Sequence, residues 1–227
     1  LAVLADTALT AAQATMFDAF VGQGGRLVAM RPDAQLHATF GIYAVGGSTP
    51  DGYLLVDQSG PGAGLHGMTL PIKGPSAHYA LGTAAAAAAL YATRTTATAF
   101  PAVAIGARTA AWAFDLGRSV AYVRQGDPAY VDQDRDPQPV YRTNDIFYQA
   151  IDLERVALPH ADVQQRLFVR VIAELLADAT PLPRLWYFPG TSRTLLVPTG
   201  DSHTDDQAPL AALIGAVESA GARISMY

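Results

Sequence analysis

Hydrophobic and polar positions follow more than one rhythm along this chain, and each rhythm predicts its own elements. Leu1 to Ala5 is a short apolar run ending on Asp6 and Thr7, the pattern of a buried strand. Thr10 then precedes a helical repeat, with Gln13 three residues on. That spacing is a capping box: the Thr hydroxyl accepts one free helix N–H and the Gln side chain reaches back to the cap. The helix should run to about Val21, with Met16, Phe17 and Phe20 inward, and stop at Gly24–Gly25. Arg26 to Met30 reads as the next strand. Strand, helix and strand in so short a span predict a βαβ unit and a parallel sheet.

From Gly46 to about Phe114 the rhythm shortens. Runs such as GYLLVD, GMTLPIKG, AHYAL, AVAIGA and TAAWAF alternate between turn residues and read as short strands, some antiparallel. Within them AAAAAALYA reads as a helix by propensity, although its surroundings are strand-like. FDLGRSVAYVRQGDP reads as a strand end passing into a helix that stops at Gly126. Asp127 to Pro139 reads as a polar, Pro-rich surface loop. Val163, Leu167, Phe168, Val171, Ile172, Leu175 and Leu176 share one helical face, the strongest helix signal in the chain. After PLPRLWYFPG the pattern restarts. A buried strand over Thr194 to Val197 leads into an acidic loop. A helix follows with Leu210, Leu213, Ile214 and Val217 on one face, then Gly221 and a strand in RISMY.

The composition narrows the function classes. Of 227 residues, 50% are hydrophobic and only 15% charged, which supports a packed core. The net charge is −5 and no Lys/Arg run exists, so a nucleic-acid footprint is not indicated. No segment approaches the length of a membrane span. Cysteine is absent, which removes disulfides, thiolate metal sites and cysteine nucleophiles together.

Residues 1–180 resemble a class I glutamine amidotransferase-like domain of flavodoxin-like α/β fold, similar to the trimerisation domain of β-galactosidases. The resemblance rests on LAVLADTALTAAQATMFDAFVGQGGRLVAM and on TAAWAFDLGRSVAYVRQGDP. Residues 181–227 resemble a linker and the opening βαβ element of a polysaccharide deacetylase (NodB-like) domain. That resemblance is carried by LPRLWYFPGTSRTLLVPTGDSHTDD through AGARISMY. The fold class expected is therefore α/β: a parallel sheet with helices and an inserted small-strand region, followed by the start of a deacetylase-like barrel. The resemblance implies a piece of an exported bacterial carbohydrate-active protein, located outside the cell or in its envelope. A strand and helix are expected before Leu1, and a barrel with a His-x-x-x-His motif beyond Tyr227. A glycan is the implied partner, a divalent ion of zinc type the implied cofactor, and a homo-oligomer through the α/β domain is a further expectation.

The residues qualify this picture. Glutamine hydrolysis by the thioester route needs a Cys on a strand-to-helix elbow, and Arg31–Pro32–Asp33 follows the RLVAM strand instead. The first unit is therefore expected to be a scaffold or a binder, without glutaminase activity. In the deacetylase family the strand ends in an acid pair, the first a general base and the second a metal ligand. The resemblance puts Asp201 at the base position. Ser202 stands where the ligand Asp is expected, and a hydroxyl is a much weaker ligand. His203 can supply an imidazole in its place. A second reading stands beside this one: acids before a helix cap its free N–H groups and suit its positive end, which accounts well for Thr204, Asp205 and Asp206. His37, His66, His78 and His160 each read as structural, as do Asp115 and Asn144–Asp145 at turns or helix starts. Trp186, Tyr187 and Phe188 read as packing between the two units, with stacking on a sugar as the other reading.

Overall fold

The computed structural model describes residues 1–135, 143–147, 157–179, 192, 196–200 and 207–226. The chain divides into two compact units, Leu1–Pro181 and Leu182–Tyr227.

The first unit is built on a seven-stranded mixed sheet. Its strands are β1 (Ala2–Leu4), β2 (Leu27–Met30), β4 (Tyr53–Val56), β5 (Leu70–Pro71), β7 (Ala85–Tyr91), β8 (Ala97–Ile105) and β9 (Thr109–Trp112), in the order β1-β2-β9-β8-β7-β4-β5. β1, β2 and β9 run parallel; β9 to β8, β8 to β7, β7 to β4 and β4 to β5 are antiparallel. The expected parallel pairing of β1 with β2 is present. The strands expected as an insertion are mostly continuous with that same sheet. Only β3 (Ile42–Thr49) and β6 (Ser76–Leu81) form a separate antiparallel ribbon.

Both faces of the sheet are covered, which is why all four residues of β2 are buried. Val28 and Met30 face one core with Trp112, Leu54 and Leu90, roofed by α3 (Leu116–Gln125) and α4 (His160–Leu175). Leu27 and Ala29 face the other core, with α1 (Ala11–Gly22), α2 (His37–Phe40) and Tyr79 of β6. Arg26 pins β2 to the end of α4. Its Nε donates to the Leu175 carbonyl and its Nη2 to Asp178 Oδ1, each at 2.6 Å.

The capping box is complete. Gln13 N–H donates to Thr10 Oγ1 at 3.3 Å, and Thr10 N–H donates to Gln13 Oε1 at 2.9 Å. Beyond the helix the chain turns at Gly24, with φ +98°. A Cβ on Gly25 would lie 2.5 Å from the Phe20 ring. Met16 does not face inward; it is exposed. The stripe that meets the sheet is Ala14, Phe17 and Val21, and Met16 lies about 200° around the helix from Ala14.

The alanine run is a strand, not a helix. β7 is paired on both edges, with β4 and with β8, so its backbone groups are satisfied by neighbours. A helix there would strip ladder bonds from both, and the helix preference of alanine is a weak prior against that loss. Asp115 caps α3 by accepting from the Arg118 N–H, as expected, and the helix ends at Gly126.

In the second unit β10 (Thr199–Gly200) and β11 (Ser225–Met226) pair in parallel, with α5 (Gln207–Ser219) between them in the chain. Of the strand expected over Thr194 to Val197 only the second half is described, and it lies in no ladder. Thr194 and Leu195 lie outside the described residues, Leu196 and Val197 are exposed, and the ladder starts where Ser225 N–H meets the Pro198 carbonyl. Among the described residues β11 pairs with Thr199 and Gly200.

Candidate functional site

Asp201 and His203 lie outside the described residues, as do Ser202, Thr204, Asp205, Asp206 and the Trp186–Tyr187–Phe188 run. Their flanks are described. The segment follows β10 directly and precedes α5, whose half-buried face is Leu210, Ile214 and Val217; Leu213 is exposed. Among the described residues no group of three or more His, Asp and Glu side chains is placed to hold a metal ion. Among them, too, no helix is long and apolar enough to cross a membrane.

In the first unit the carboxyl ends of β1 and β2 bring together Asp6, Arg31, Asp33, His37 and Tyr79. Parallel α/β sheets place ligands at such ends. Arg31 turns the chain out of β2 with φ +45°, the left-handed region that costs a bulky residue about 1–2 kcal/mol. Its N–H donates to the Trp112 carbonyl at 2.7 Å, which fixes the elbow to the end of β9. Its Nη1 donates to Asp6 Oδ2 at 2.6 Å, while Nε is buried with no acceptor among the described residues. Tyr79 enters from β6, nearly fully buried. Burial pushes its hydroxyl up to about 12, with Arg31 and Asp6 close enough to exert opposing effects. His37 lies edge-on to the Tyr79 ring, 5.2 Å between centroids, and its Nε2 is 3.1 Å from the Pro32 carbonyl oxygen.

The Arg31 elbow thus has the backbone strain of a functional turn and no nucleophile. Sequence reading singled Arg31 out only for the Cys it replaces. The signal available was its place directly after a buried parallel strand.

Asp33 accepts N–H bonds from Leu9 and Gln35, both at 2.9 Å, and these bonds, Leu9 first, hold its carboxyl below the ordinary 3.8. The lowered value means that Asp33 stabilises the fold fully above its unfolded pKa. That contribution is lost as pH falls through the lower folded value. Asp33→Asn is therefore expected to be less stable than the parent at neutral pH, with the gap closing on acidification. Urea midpoints from pH 7 to about pH 2 measure this; a gap that widens in acid would contradict it.

The only lysine, Lys73, is buried 3.3 Å from Asp51 Oδ1, and the same oxygen accepts from Gly74 N–H at 2.8 Å. His78 stacks on Phe100 at 4.2 Å and bonds Thr49 Oγ1; His66 is exposed; His160 is buried as the first residue of α4. Asp145 lies in a short 3-10 turn (Thr143–Phe147), fully buried, and accepts from the Arg135 N–H. Ser119, in the DLGRS stretch, bridges the two sides of one core: it accepts from Lys73 N–H and donates to Gln164.

No family model matches the sequence, and no curated protein matches it. Three solved structures are similar. The β-galactosidase of Rahnella sp. R3 is 18% identical over 49% of this chain and 19% of its own, with a TM-score of 0.41. The β-galactosidase of Bacillus circulans sp. alkalophilus is 15% identical over 49% of this chain and 20% of its own, at 0.40. α-L-Fucosidase isoenzyme 2 of Paenibacillus thiaminolyticus is 11% identical over 78% of this chain and 25% of its own, at 0.49. The chain matches a quarter or less of the length of each. Likeness at this level establishes neither a family nor an activity.

Proposed function

We propose that the chain belongs to a hydrolase that removes acyl groups from a glycan. The first unit is a non-catalytic, flavodoxin-like amidotransferase-like scaffold, and the second opens a deacetylase-like domain. The observation that carries this reading is the parallel pairing of β10 with β11 on either side of α5. With that connection, Asp201 to Asp206 run from a strand's carboxyl end toward a helix N-terminus, where α/β folds hold ligands. The lack of cysteine supports a scaffold role for the first unit.

The donor types in the segment fit a divalent ion of zinc type in part. His203 offers an imidazole, and Ser202 is a poor replacement for a carboxylate, so the set needs ligands from elsewhere in the protein. When bound, such an ion supplies Lewis-acid polarisation of the acyl carbonyl. Asp201 takes the proton of the attacking water, and Asp205 and Asp206 favour the start of α5.

The test uses the full-length protein, measuring metal content and acetate release from acetylated oligosaccharides. Asp201→Asn is expected to keep the metal and lose activity by about a hundredfold or more. His203→Ala is expected to weaken metal binding. Unchanged metal affinity and activity in both variants would reduce the segment to a helix cap.

A further inference from the structure

We draw no further inference here: the strongest candidate, the outer edge of the β3–β6 ribbon with Tyr43 and Val45 exposed on it, carries nothing because nothing in the structure shows what covers it.

Discussion

Trp112→Ala is expected to lower the stability of the fold by about 3–5 kcal/mol, the usual cost of emptying a buried tryptophan site. Trp112 ends β9, bonded between β2 and β8, and is 1% exposed. Its ring meets Phe168 of α4 edge-on, 5.4 Å between centroids at 69°. It therefore joins the parallel part of the sheet to the helix that covers it. Alanine leaves a cavity between layers held in place by strands on both sides, so the site collapses little. A typical domain has only about 5–15 kcal/mol in hand, so the loss should move the urea midpoint far while the slope stays unchanged. A loss under about 1 kcal/mol would show that the layers close over the gap.

Gln164→Leu is expected to cost about 2–4 kcal/mol although leucine fits the helix and the apolar surroundings. Gln164 is 1% exposed in α4. Its Oε1 accepts from Ser119 Oγ at 3.1 Å and its Nε2 donates to the Pro71 carbonyl at 2.8 Å. Ser119 in turn accepts from the Lys73 N–H at 3.2 Å. One amide thus ties α4 to α3 and to the β5 edge of the sheet. Leucine leaves a buried hydroxyl and a buried carbonyl short of partners, each worth about 1–3 kcal/mol when unsatisfied. Ser119→Ala alone breaks both the bond to Gln164 and the one from the Lys73 N–H, so the double variant should cost less than the sum of the two single losses. A double-mutant cycle from urea midpoints reads that coupling; strict additivity of the two losses would mean that the hydrogen bond contributes nothing.

Neither residue announced itself fully in the sequence. Trp112 sits in TAAWAF, a legible strand, but its Phe168 partner is 56 positions on in a different element. Gln164 lies in HADVQQRLF, which reads as core helix and nothing more. Its burial depends on where Ser119 and Pro71 arrive. The elbow behaves similarly. The sequence put Arg31 directly after a buried strand, but neither its left-handed backbone nor Tyr79 above it follows from local pattern. Tyr79 comes from a ribbon that packs there through contacts distant in the chain.

What the sequence determined by itself was local. Thr10 with Gln13 set the start of α1 and Gly24 its exit; Asp115 and Gly126 bounded α3, and the apolar repeat from Val163 placed α4. These outcomes rest on hydrogen bonds and side-chain spacing within a few residues, so they survive without knowledge of neighbours. Tertiary structure decided the rest. It turned Ala85–Tyr91 into a strand because β4 and β8 offered ladder partners on both edges. It left Met16 in solvent because only one stripe of α1 meets the sheet. Among the described residues of the second unit it left Leu196 and Val197 exposed and paired Thr199 and Gly200 with β11. Strand identity, burial and the meeting of distant polar groups are properties of pairs of segments, and a single segment's pattern carries only half of each pair.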